Sequence, residues 1–152
     1  MASTVFPAAA AGKTRFITTL TSGTSYTVPA GVTYVNVLLQ GGGAGSYATS
    51  STNSSIPGNP GQMLRSIVTT TPGGSIAYAI GAGGAGASSP SSAVIGGTTT
   101  FAGATSALGG TVGTTGNGAN GTDQAGLNNG ATVAPTTGKT GGAGKIEVEY
   151  WA

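Results

Sequence analysis

Three stretches of this chain, residues 41–61, 81–97 and 103–144, are built largely from glycine, alanine, serine, threonine and asparagine, and none spaces its apolar residues at helical intervals. Glycine has no Cβ and loses more backbone freedom on folding than any other residue. A chain holding 30 glycines in 152 residues must therefore find unusual compensation for ordering them, or leave them as loops. A collagen helix is excluded, because there is no strict Gly-X-Y period and only 7 prolines. Simple disorder fits poorly, since disordered chains carry high charge and few apolar residues. Here only 5% of residues are charged, and clear β-branched and aromatic runs lie between the glycine stretches. The remaining solution is an all-β domain whose short strands are joined by long glycine loops.

The strands are legible from alternation and turn signals. Arg15 to Leu20 is β-rich, and Thr24 to Val28 runs into the turn Pro29-Ala30-Gly31. Tyr34 to Gln40 is the clearest strand, with Val35, Val37 and Leu39 on one face and Tyr34, Asn36 and Leu38 on the other. Gln62 to Thr70 follows, then the turn Thr71-Pro72-Gly73-Gly74 and a strand from Ser75 to Ile80. Thr98 to Phe101 is a short strand, and Lys145 to Trp151 alternates Ile146, Val148 and Tyr150 with Lys145, Glu147, Glu149 and Trp151. These patterns predict an antiparallel, sandwich-like domain over residues 14–152, preceded by an arm over residues 1–13. In a simple up-and-down order the loops at 41–61 and 81–97 would gather at one end of the sheet.

The predicted core is small: Phe16, Tyr26, Val28, Val35, Val37, Leu39, Leu64, Val68, Ile76, Tyr78, Ile80, Phe101, Ile146, Val148 and Tyr150. Each such side chain contributes ~1.5–3 kcal/mol when buried. That is thin cover for so many ordered glycines, and burial between subunits is the natural remedy, so a homo-oligomer is expected.

Active-site chemistry has little to work with. His and Cys are absent, which removes the usual general base, the thiolate nucleophile and most transition-metal ligands. The carboxylates are Asp123, Glu147 and Glu149 alone. Glu147 and Glu149 share a strand face about 7 Å apart, and the simpler role for them is to keep that face soluble. Gly81-Ala82-Gly83-Gly84-Ala85-Gly86 matches the dinucleotide fingerprint in letters, yet Ala87-Ser88-Ser89-Pro90 cannot supply the helix whose N-terminus holds the pyrophosphate. Gly12-Lys13-Thr14 and Gly138-Lys139-Thr140 resemble phosphate-loop ends, but Pro7 and Val133 stand where the first glycine is required. The sequons at Asn53 and Asn120 read as chance in a Ser/Thr-rich chain. No enzyme, no cofactor and no metal site is expected.

The net charge is +2, from Lys13, Arg15, Arg65, Lys139 and Lys145 against the three acids. Five scattered cations cannot track a phosphate backbone, so nucleic acid is not an expected partner. No run approaches the ~20 apolar residues of a membrane helix. Residues 1–12 lack the basic and apolar parts of a secretory signal, and the chain reads as a product made in the cytoplasm. The residues suited to touching a neutral polar partner are the loop aromatic and amides, Tyr47, Asn53, Asn59, Asn117, Asn120, Asn128 and Asn129, with Asp123. Val5, Phe6 and Pro7 mark the arm as a docking peptide candidate.

The order of these pieces resembles a known family. Tyr26-Thr27-Val28-Pro29-Ala30-Gly31-Val32 precedes a strand ending in Gln40-Gly41-Gly42-Gly43-Ala44-Gly45. Gly61-Gln62 leads a strand to Pro72-Gly73, and Tyr78-Ala79-Ile80 opens the 81–86 glycine run. Gly96-Gly97-Thr98-Thr99-Thr100-Phe101, Ala107-Leu108-Gly109-Gly110 and Gly144-Lys145-Ile146-Glu147-Val148-Glu149-Tyr150 complete the series. Over about residues 16–151 this is similar to the glycine-rich domain of bacteriophage tail-fibre and other virion appendage proteins. The resemblance implies a β-structured, non-enzymatic virion protein: a small fibre, spike or appendage subunit with loops facing host or solvent. Its partners would be other virion proteins and a host-surface glycan or protein, and fibre analogy implies a trimer. A capsid cement or decoration protein and a carbohydrate-binding module are the alternatives. The glycine runs here are short and diluted with Ser, Thr and Ala, which argues against extended polyglycine packing.

Overall fold

The computed structural model describes residues 12–49, 54–87, 93–113 and 139–152. Among them the chain is all β: β1 (Arg15–Leu20), β2 (Ser25–Thr27), β3 (Tyr34–Gln40), β4 (Tyr47–Thr49), β5 (Ser54–Ile56), β6 (Met63–Thr69), β7 (Ser75–Ala79), β8 (Thr100–Phe101) and β9 (Lys145–Trp151). A four-stranded antiparallel sheet has the order β1-β9-β3-β6, and a three-stranded antiparallel sheet the order β2-β7-β8. This is the expected sandwich-like domain. A two-stranded ribbon, β4-β5, lies within the first glycine stretch.

Alternation decides which residues meet between the sheets. Val35, Val37 and Leu39 of β3 and Ile146 and Val148 of β9 point to one side, where they meet Tyr26, Tyr78 and Phe101 of the second sheet. Val28, Val32, Val68 and Ala107 complete this core, with Leu20, Leu64, Ile76, Ile80 and Tyr150 packed around it. The turns do the work their residues require. Gly31 and Gly73 adopt φ of 76° and 74°, a region L side chains avoid.

Phe16 departs from the expected core and is 43% exposed. It stands on an edge strand, beyond the reach of the narrower second sheet. It stacks on Tyr150 instead, with ring centroids 5.3 Å apart. Four buried polar residues, Asn36, Gln40, Ser46 and Thr99, lie outside the expected core and bear on the two sites below.

The molecule has two poles. Thr14 and Ala152 exchange backbone hydrogen bonds of 2.8 and 3.1 Å at the start of β1 and the end of β9. At the far end, Gln40 pairs with both Met63 and Lys145. The glycine segments leave and re-enter the four-stranded sheet at that far end.

Candidate functional site

Six segments, 41–46, 58–62, 81–87, 93–97, 107–112 and 139–144, come together at the far pole and hydrogen-bond to one another. Residues 41–46 form the centre. Their successive N–H groups donate to different neighbours in a repeating order of three: Gly41 to Gln62, Gly42 to Gly97, Gly43 to Gly142, Ala44 to Asn59, Gly45 to Val94, Ser46 to Lys139, over 2.8–3.0 Å. Residue i and residue i+3 thus face the same neighbouring segment. A three-residue turn with no internal hydrogen bonds is the geometry of a polyproline-II helix. Carbonyls of the same segment accept from the remaining neighbours, Gly42 from Gly110 and Gly43 from Gly84. The described parts of the loops at 41–61 and 81–97 gather at one end, joined there by the two later segments, although the strand order is not the simple up-and-down one expected: the strands that precede them lie in different sheets.

Burial follows the same period. Gly81, Gly84 and Ala87 are buried while Ala82 and Ala85 are exposed; Ala107, Gly110 and Gly113 are buried while Leu108 and Thr111 are exposed. At the inward positions a Cβ has no room. One added to Gly42 would overlap the Ala82 carbonyl, one at Gly96 the Gly42 carbonyl, one at Gly141 the Gly43 carbonyl. The expectation against polyglycine packing is overturned for this reason. Half-buried glycines are closed to a Cβ as well, Gly83 by the Gly141 carbonyl and Gly109 by the Gly96 carbonyl, so Ala, Thr, Val, Ile and Leu are accommodated at the outward positions.

Side chains clip the bundle at both ends. At the sheet end, buried Thr99 donates its hydroxyl to the Gln40 carbonyl (2.6 Å) and accepts from the Gly81 N–H (3.0 Å). Further out, the Ser46 hydroxyl accepts from the Lys139 N–H at 2.7 Å. Tyr47 was expected to face a partner; its side chain is buried, 3% exposed, against Ala87 with Ala93 and Val112 beside it. Asn59 belongs to the bundle too, its amide donating to the Thr111 hydroxyl at 2.9 Å. Asn53, Asn117, Asn120, Asp123, Asn128 and Asn129, and Val5, Phe6 and Pro7 of the arm, lie outside the described residues. The bundle surface is neutral apart from Lys139 among the described residues, and exposes Val94, Ile95 and Leu108.

A second concentration of chemistry lies on the outer face of the four-stranded sheet. Arg15, Arg65, Lys145, Glu147 and Glu149 stand on this sheet, five of the eight charged residues in the chain. Arg15 Nε pairs with Glu149 Oε1, and Lys145 Nζ with Glu147 Oε1 at 2.7 Å. Among these groups is a cleft of about 40 Å³ walled by Ile17, Leu38, Arg15, Arg65 and the two glutamates, with Asn36 beneath. The Asn36 carboxamide is buried, and neither its oxygen nor its nitrogen has a hydrogen-bond partner among the described residues. The same holds for Gln40, further along β3. Alternation had placed Asn36 on this face; only the register reveals that it sits beside Glu149. Glu147 and Glu149 prove to be half-buried and ion-paired.

A β-sandwich, without α-helix among the described residues, whose glycine segments lock into a hydrogen-bonded bundle defines a glycine-rich β domain. The chain belongs to the family described as "Glycine-rich domain", whose family model matches residues 18–149. None of the curated proteins matches the chain.

Proposed function

We propose that this protein is a non-enzymatic structural subunit of a bacteriophage virion appendage, a small fibre or spike component, with its glycine bundle directed outward to host or solvent. The observation that carries this reading is the polarity of the molecule. Residues 14 and 152 lie side by side at one pole, and the described glycine segments gather at the other. A subunit held through its N-terminal arm therefore holds the bundle distal.

The bundle is suited to that position. Its hydrogen bonds run between segments that are remote in sequence, which fixes otherwise flexible glycines. Its outward positions carry Ala, Thr, Val, Ile and Leu, a neutral surface fit for hydrogen-bonded and van der Waals contact with a glycan or protein. Cryo-EM of the intact particle that carries the chain tests the reading. Density at the tail or on projecting fibres, bundle outward, is the expected result. A regular lattice over the capsid would overturn it in favour of a decoration protein, with the bundle as glue between subunits.

A further inference from the structure

We propose that the outer face of the four-stranded sheet is a contact surface between two copies of this chain, packed face to face about a twofold axis running along the strands between β9 and β3. The argument rests on the sheet alone and stands whether or not the protein is a virion part.

The register makes the face complementary to itself. Across the strands from β1 to β6, the middle row reads Ile17, Glu149, Asn36, Ile67. A twofold axis along the strands lays this row over its own reversal. Ile17 of one copy then meets Ile67 of the other at both edges, and the Glu149 carboxylate meets the Asn36 carboxamide twice at the centre. The neighbouring row reads Arg15, Trp151, then Tyr34 and Thr69, if the β9–β3 register is continued by one pair. Its reversal lays Trp151 over Tyr34, aromatic on aromatic. In the row on the other side, Thr19, Glu147, Leu38, Arg65, the reversal brings Arg65 of one copy one strand away from Glu147 of the other.

Each feature that is awkward in a lone protomer has a use in this arrangement. Ile17 and Ile67 are 53% and 42% exposed, on the two edge strands of one sheet. The Asn36 amide, with donors and an acceptor unused, is costly to bury without a partner. An ionised carboxylate has about four acceptor sites, so Glu149 can keep Arg15 and still accept from an amide. Reaching Asn36 requires side chains around the cleft to change rotamer, which is common at interfaces. A threefold ring would need two different patches on each copy, whereas this face complements itself.

Four strands at ~4.8 Å and seven residues at ~3.4 Å give a face of roughly 450 Å² per copy. About 900 Å² in total is at the low end for specific contacts, so the dimer is expected to be reversible. Sedimentation equilibrium of the full chain, from ~5 μM to ~500 μM, spans the affinities such an area supports. The expected result is a mass that rises toward twice 14.3 kDa with concentration. Ile67→Glu and Asn36→Leu should each weaken association at least ~10-fold while far-UV circular dichroism is unchanged. Leu108→Glu, on the bundle, should leave the mass curve as it is. A wild-type monomer throughout, a trimer, association insensitive to both sheet variants, or dissociation by Leu108→Glu instead would each overturn the proposal.

Discussion

At the scale of the residue, the same amino acid serves two different physical needs in this chain, and substitution separates them. Gly31 is needed for its backbone angle: φ is 76° and nothing lies within 4 Å of where a Cβ would sit. Gly42 is needed for its missing atom: its φ is ordinary, but a Cβ would strike the Ala82 carbonyl. Gly31→Ala should cost about 1–2 kcal/mol, the penalty of a left-handed L-residue. Gly42→Ala should cost more, upwards of ~3 kcal/mol, because a backbone carbonyl cannot swing aside as a side chain can. Urea unfolding of the two variants checks the order; equal losses would mean the bundle yields easily. Tyr26 offers a second measurement. Its hydroxyl is buried without a partner among the described residues. Burial, and then the neighbouring Tyr150, hold its pKa above the usual 10.0. As pH rises the unfolded chain ionises first, so stability is full below about 10 and is lost from there up through the raised folded value. Tyr26→Phe should gain on the order of 1 kcal/mol at neutral pH and remove this part of the alkaline loss, as read from unfolding midpoints across pH 8 to 11.

At the scale of the element, the bundle is regular structure that is neither strand nor helix. Its N–H groups are bonded and inward-facing, so hydrogen exchange should find Gly42, Gly43, Ala44 and Gly45 protected to a degree comparable with β3. Fast exchange at these amides, with β3 protected, would reduce the bundle to a loosely associated set of loops. The strands of the two main sheets were legible in the sequence, while β4 and β5 inside the first glycine stretch were not, because alternation with period two is local: Val35, Val37 and Leu39 announce their shared face within seven residues. The turns at Pro29-Ala30-Gly31 and Thr71-Pro72-Gly73-Gly74 were legible for the same reason. The bundle was not, for a physical reason. Its period is three, but consecutive positions such as Gly83 and Gly84 are both closed to a Cβ, and alanines such as Ala82 and Ala85 occupy the outward position and blur the repeat. Its bonds also join residues as remote as Gly43 and Gly142, which no local pattern can foretell. Tyr47 suffered likewise. An aromatic in a polar loop reads as exposed until Ala87, Ala93 and Val112 are brought against it. The charged face lay between these extremes. Alternation assigned Glu147, Glu149 and Asn36 to faces, while their adjacency depended on strand order and register.

At the scale of the whole molecule, charge is segregated. Five of the eight charged residues stand on the four-stranded sheet, and the bundle segments carry Lys139 alone among the described residues. Salt therefore distinguishes the two surfaces. Screening at ~0.5 M salt reduces the Debye length to about 4 Å, so exposed charge–charge attraction nearly vanishes while hydrogen bonding and apolar contact persist. If the bundle is the surface that meets the host, purified protein should compete with particle adsorption almost equally at ~0.05 M and ~0.5 M NaCl, within about twofold. Ile95→Asp, which places a charge on a bundle residue that is 63% exposed, should weaken competition at both salt concentrations, because it disrupts a neutral contact without removing an ion pair. The sheet face behaves differently: Arg65 and Glu147 approach across the proposed twofold axis, so self-association should weaken as salt rises over the same range. Competition that collapses at high salt in parallel with self-association would mean that the charged sheet, and not the neutral bundle, makes the host contact. Competition that persists while the dimer dissociates would assign separate work to the bundle and to the sheet face.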